Sequence, residues 1–185
     1  MSLTLIKTLL KPFPRVDLSI LPTPLHLLPQ LSALLGYQIY IKRDDLTGFA
    51  LSGNKTRKLD FLIAEALQKH YTTIIGIGAN QSNFCRILTN AAVRYGLQVH
   101  LILRGKPTTQ PTGNLRIDRL LGANIHHVDT TDSKVALAAA EELQKQLEAQ
   151  GEKVFCYRPV AQCLWVPWVM SLAGMKSTLK LPIYQ

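Results

Sequence analysis

The run Ser52-Gly53-Asn54-Lys55-Thr56-Arg57-Lys58 sets three cations at what the downstream pattern marks as the opening of a helix. An ammonium in a first turn meets the positive end of the helix dipole, and Arg57 and Lys58 add like charge beside Lys55. Both effects favour the neutral amine, and burial would add to them. A neutral amine attacks an aldehyde to form a Schiff base, and Gly53 leaves room for a flat ring to approach the backbone. The same residues also describe a basic first turn facing solvent. The run alone does not decide between the two.

A second stretch, Gly76-Ile77-Gly78-Ala79-Asn80-Gln81-Ser82-Asn83, joins an apolar β-branched run to another helical pattern. Free backbone N–H groups at such a junction suit a phosphate or carboxylate. Ser82 and Asn83 offer a hydroxyl and an amide at the same place. An ordinary N-cap without a ligand fits equally well. Gly76-x-Gly78 lacks the third glycine of a dinucleotide fingerprint, and no acidic residue follows at the required distance, so the run is not read as a nicotinamide site.

The elements that must hold these residues follow from periodicity. Residues 12–30 carry Pro12, Pro14, Pro22, Pro24 and Pro29 and read as an extended arm. Residues 31–35 suggest a short helix stopped by Gly36, residues 37–42 a strand, and residues 44–52 a polar loop. Leu59, Leu62, Ile63, Ala66 and Leu67 fall on one face of a helix over 55–69, with Asn54 as its expected N-cap. Strands are expected at 73–77, 99–103 and 124–128, alternating with helices at 83–95, 114–121 and 133–150. This alternation predicts an α/β fold, an open and mostly parallel sheet with helices on both faces. Ligands in such sheets bind beyond the carboxyl ends of the strands, which selects the loops 44–54, 78–83 and 104–113.

The chain has 185 residues, a hydrophobic fraction of 47% and a net charge of +9. The basic residues do not gather into one run with aromatic platforms, so the charge points to an anionic small molecule and not to nucleic acid. Cys85, Cys156 and Cys163 have no metal-like spacing, and no apolar stretch is long enough to span a membrane. A reduced, cytoplasmic protein without metal is the expectation.

Taken together, the motifs resemble those of the D-cysteine desulfhydrase / 1-aminocyclopropane-1-carboxylate (ACC) deaminase family, enzymes that use pyridoxal 5'-phosphate (PLP). The resemblance rests on Pro22-Thr23-Pro24-Leu25, on Lys42-Arg43-Asp44-Asp45-Leu46 followed by Ser52 to Leu59, on Gln81-Ser82-Asn83, and on Gly113-Asn114-Leu115 with Leu121-Gly122-Ala123. It implies a fold type II PLP enzyme. Lys55 would hold PLP as a Schiff base and then move the substrate's α-proton. Asn83 would bond the phenolic oxygen of PLP, and Asn54 and Lys58 would support the cofactor pocket. Gln81, Ser82 and Asn83 would contact the substrate, with Ser82 in a nucleophilic or proton-handling role. The implied reactions are α,β-elimination from D-cysteine, giving pyruvate, sulfide and ammonia, or ring opening and deamination of ACC. A homodimer is the assembly common in the family.

The chain also departs from that pattern. Phe84 stands where many members carry histidine, Ser52 replaces a usual glycine, and Ile87-Leu88-Thr89 replaces a smaller, more polar stretch. The resemblance is read over 12–155. Residues 156–185 read as a divergent tail, and Trp165 and Trp168 convert to glycine codons in a shifted frame, which suggests a frameshift near residues 158–162. On that expectation the chain is the N-terminal half of such an enzyme, truncated, with a non-catalytic remnant as the alternative and apolar surface left uncovered.

Overall fold

A computed structural model describes residues 12–157. The expected tail and its frameshift fall almost wholly outside them. The centre of the molecule is a parallel sheet in which β3 (Thr73–Ala79) and β4 (Gln98–Arg104) run side by side. Their ladder pairs Thr73 with Gln98 through to Ala79 with Arg104. β5 (Asn124–Val128) lies outside β4, and β6 (Val154–Cys156) lies on the other side of β3, giving the order β5-β4-β3-β6. Residues 73–78 are all buried, as a strand covered on both faces requires.

Side chains alternate across the sheet. Val99, Leu101 and Leu103 turn to one face, where they meet Leu59, Leu62 and Ile63 of α2 (Lys55–Gln68) and Ile87, Leu88 and Ala91 of α3 (Asn83–Arg94). Leu115 of α4 (Gly113–Leu120) joins the same cluster. Ile75, Ile77 and Ile102 turn to the opposite face and pack on Ala136, Ala140 and Leu147 of α5 (Ser133–Ala149). Helices therefore cover both faces, as the alternating pattern predicts. The glycine at 76 is sized by the packing: a Cβ on it would lie 2.4 Å from Leu88 Cδ2.

The chain leaves β3 toward β4 on one side and returns as β6 on the other. The carboxyl end of β3 is thus the switch point of the sheet, where a crevice forms between strands whose connections run opposite ways.

The arm differs from its sequence reading. β1 (Leu25–Leu27) pairs antiparallel with β2 (Tyr40–Lys42), Leu25 opposite Lys42, around α1 (Pro29–Leu35). Prolines on either side of a three-residue strand hide it from local pattern, and only the distant partner creates it. The strand expected over 37–42 shrinks to its last three residues, and Gly36 closes α1 in the left-handed region at φ 70°. No residue of α1 is buried, and Leu34 and Tyr37 stand 80% and 75% exposed.

Candidate functional site

The loop into Lys55 is tied down residue by residue. Lys42 Nζ donates to the Thr23 carbonyl. Asp44 accepts two bonds from Arg57, at 2.7 Å from Nε and 2.6 Å from Nη2, and one from Thr23 Oγ1 at 2.9 Å. Burial of Asp44 opposes its ionisation, but the Arg57 fork and the Thr23 hydroxyl prevail and hold its pKa below the ordinary value. Thr47 Oγ1 clasps Gly53 by accepting from its N–H at 3.0 Å and donating to its carbonyl at 3.2 Å. Between them Ala50, Leu51 and Ser52 have φ of 49°, 61° and 62°, and Gly53 has φ 125°. This conformation explains the preference for glycine at position 52. Ser52 is accommodated because its Oγ accepts from Gly48 N–H at 2.8 Å.

Two expectations about this loop need correction. Asn54 occupies the N-cap position but has helical φ and makes no side-chain capping bond. Thr56 closes the turn instead, its N–H and Oγ1 both donating to the Gly53 carbonyl. Arg57 does not act as free positive charge beside Lys55, because Asp44 neutralises it. Lys55 itself is half-buried, and its Nζ has no hydrogen bond or ion pair among the described residues.

Lys58, one turn on and on the same side of α2, lies in an open cleft of about 500 Å³ at the switch point. Ile77, Gly78 and Ala79 of β3, Gln81, Ser82, Phe84, Arg104 and Tyr157 complete the walls; Lys55 is not among them. The Lys58 ammonium sits 3.8 Å from the centre of the Phe84 ring and donates to Tyr157 Oη at 3.1 Å. Phe84 thus gives the cation an aromatic face, where a protonated histidine would repel it. Arg104, which bonds the Thr131 carbonyl at 2.9 Å, adds a second cation to the cleft.

The turn after β3 is built around Ser82, whose Oγ caps α3 by accepting from Cys85 N–H at 3.2 Å. Gly78 is fixed by this cap, since a Cβ there would meet Ser82 Oγ at 2.7 Å and Cys85 Sγ at 2.5 Å. Gln81 Oε1 accepts from the Asn114 N–H at 2.9 Å, and its Nε2 donates to the Thr112 carbonyl at 3.0 Å. Asn114 Nδ2 then bonds both the Gln81 carbonyl and Asn83 Oδ1 at 2.9 Å. Because Asn83 presents its oxygen to Asn114, its Nδ2 is the outward group, and that group has no partner among the described residues. The structure therefore places Gln81, Ser82 and Asn83 on one turn, with both polar ends of Gln81 bound to the protein.

Sequence reading passed over Arg104, Tyr157, Asn114 and Arg86. Asn114 had a signal in the Gly113-Asn114-Leu115 run. Gly113 has φ 54° and no room for a Cβ, which would lie 2.5 Å from Gln81 Oε1, and Leu115 enters the core. Arg104 opens the loop 104–113 that the strand pattern selects, whereas Tyr157 and Arg86 carried no signal, because only folding brings Tyr157 to Lys58 and Arg86 to Ala50. Beneath the turn, burial pushes the Cys85 thiol up to about 12, leaving it an inert apolar filler.

A family model described as pyridoxal-phosphate dependent enzyme matches residues 16–171, past the end of the motifs near 155. The bifunctional D-cysteine desulfhydrase/1-aminocyclopropane-1-carboxylate deaminase, mitochondrial, of Arabidopsis thaliana is 42% identical over 157 residues, 79% of this chain and 39% of its own. A D-cysteine desulfhydrase of Salmonella newport (strain SL254) is 39% identical over 147 residues, 75% of this chain and 43% of its own. A crystal structure described as an ACC deaminase homologue superposes with a TM-score of 0.82 at 36% identity, covering 96% of this chain and 52% of that one. The chain spans about half the length of the curated relatives it matches. Among the described residues no helix is long and apolar enough to cross a membrane, and no group of three or more His, Cys, Asp or Glu side chains is placed to hold a metal.

Proposed function

The chain belongs to the pyridoxal-phosphate dependent enzyme family, and from that membership we propose that it carries the lysine-bearing half of a lyase or deaminase acting on a small amino acid. The observation that supports this most is how the polar groups are committed. Arg57, Gln81 and Asn114 are engaged with protein partners. Lys55 Nζ and Asn83 Nδ2 have none among the described residues.

The residues fit PLP. Lys55 supplies a primary amine for the aldehyde, Asn83 Nδ2 a donor for the phenolic oxygen, and Lys58 a cation in the cleft for an anionic substituent. Bound here, the cofactor supplies an electron sink for charge developing at the substrate's α-carbon. Lys55 Nζ takes and returns the α-proton. Ser82 Oγ, whose lone pair caps α3, keeps its O–H free to donate to the substrate. Gln81 lines the cleft at the turn, and Asn54, ahead of Lys55, would support the cofactor from the loop.

D-cysteine, split to pyruvate, sulfide and ammonia, and ACC, opened and deaminated, are the two substrates this reading carries. A cytoplasmic setting accompanies it, with a homodimer as the assembly. Supplying PLP to the full chain and following its visible absorption tests the reading. A band that disappears in Lys55→Ala is expected. No band, or the same band in Lys55→Ala, contradicts it. Sulfide released from D-cysteine, or ammonia and a 2-oxo acid from ACC, then identifies the substrate. A chain that takes up no PLP at all is instead the truncated, non-catalytic remnant.

A further inference from the structure

Arg86 lies on α3 three residues after Asn83, with 5% of its surface exposed. A guanidinium so buried must find acceptors, because an unpaired buried charge is costly. Its two Nη groups find them on two different elements, while Nε has no partner among the described residues. Nη1 donates to the carbonyl of Ala50, and Nη2 donates to Asn83 Oδ1 at 3.4 Å. The first acceptor opens the run Ala50, Leu51, Ser52, three successive non-glycine residues at positive φ just ahead of Lys55. Such a run persists only where surrounding contacts over-determine it. The second acceptor is the oxygen whose engagement with Asn114 leaves Asn83 Nδ2 as the outward donor.

We infer that Arg86 is a positioning residue that couples the loop before Lys55 to the carboxamide of Asn83, keeping the amine and the amide donor in one relative placement. This rests on the reading of Lys55 and Asn83 as cofactor groups. The chemistry of arginine suits the task. Its planar fork presents donors at fixed angles to two separated acceptors, whereas an ammonium is a point charge. Burial lowers the pKa of this guanidinium, and Asp118 of α4 opposes that by favouring the charged form. A cation needed only to face Asp118 would be replaceable by lysine, which separates coupling from mere charge balance.

The test uses the full chain with Arg86→Lys and Arg86→Gln, and its first arm needs no cofactor. Amide hydrogen exchange at Gly48, Ser52 and Gly53 is expected to quicken about tenfold in both variants, the effect of losing a charge-assisted bond. Amides of β3 and β4 stay protected, and the Asn83 side-chain N–H₂ resonance shifts. Unchanged loop exchange, or full restoration by lysine, overturns the inference. Should the variants also lose core protection, the wild type decides through its Arg86 Nη resonances. Two resolved signals from a slowly rotating guanidinium support coupling, and one averaged signal overturns it. A second arm traps PLP on the protein with borohydride. In variants with an intact core, adduct formation at Lys55 is expected to slow about tenfold. Failure of trapping in the wild type would count against the cofactor reading alone, since loop exchange reports the coupling by itself.

Discussion

Asp118 shows how a single buried side chain sets the pH response beneath the site. It is 1% exposed, and one of its carboxylate oxygens, Oδ1, has no hydrogen-bond partner among the described residues. Burial pushes its carboxyl from 3.8 up to about 6, against the Thr89 hydroxyl and the Arg86 guanidinium, which pull it down. A carboxyl raised in the fold contributes stability that is fully present below its unfolded value and lost as pH rises through about 6. Asp118→Asn keeps the neutral form at every pH. It is expected to stabilise the chain by about 1–2 kcal/mol at pH 7, after discounting for screening, and to leave it unchanged near pH 4. His100 and His126, 3.1 Å apart between Nδ1 and Nε2, act in the opposite sense. Burial lowers both, so their contribution is present above the ordinary histidine value and lost as pH falls. Comparing denaturant unfolding of Asp118→Asn with wild type across this range isolates the carboxyl. A wild type that gains no stability relative to the variant on acidification would refute the assignment.

The loops of the site are held by side chains whose replacement has predictable signs. Ser52→Ala keeps the positive φ and loses the bond to Gly48, and is expected to cost about 1 kcal/mol. Ser52→Gly loses the same bond but relieves the backbone, and is expected to fall within about 0.5 kcal/mol of wild type. Gly113→Ala must displace Gln81 and strain φ 54°, costing about 1–3 kcal/mol and releasing the Gln81 bond to Asn114. Thermal or denaturant melts read all three. Much of this framework was legible beforehand. Helices α2 to α5 and the core strands lie within a residue or two of where hydrophobic period placed them, because burial on both faces writes itself into the sequence. The turn carrying Gln81, Ser82 and Asn83 was legible for the same reason. What could not be read were contacts made by distant partners. β1 and β6 exist only through their neighbours, Tyr157 meets Lys58 across 99 positions, and Arg57 turns from Lys55 because Asp44 claims it.

At the scale of the molecule, the described sheet packs helices on both faces, while the β1-α1-β2 lobe leaves apolar side chains uncovered. Leu34 and Tyr37 are each at least 75% exposed. A chain with this surface is expected to self-associate as concentration rises, and Leu34→Lys with Tyr37→Lys is expected to raise the concentration at which sedimentation still reports a single monomeric species. The same result in wild type and double variant would show that the lobe does not drive association. The cleft at the switch point and the two loops around it hold several cations, and the proposed chemistry belongs to one amine among them. Borohydride trapping of PLP on the full chain, followed by peptide mass mapping, addresses that claim directly. The adduct is expected on Lys55, with Lys58 unmodified and Lys55→Ala yielding none. An adduct carried by Lys58, or spread evenly over surface lysines and unaffected by Lys55→Ala, would contradict it.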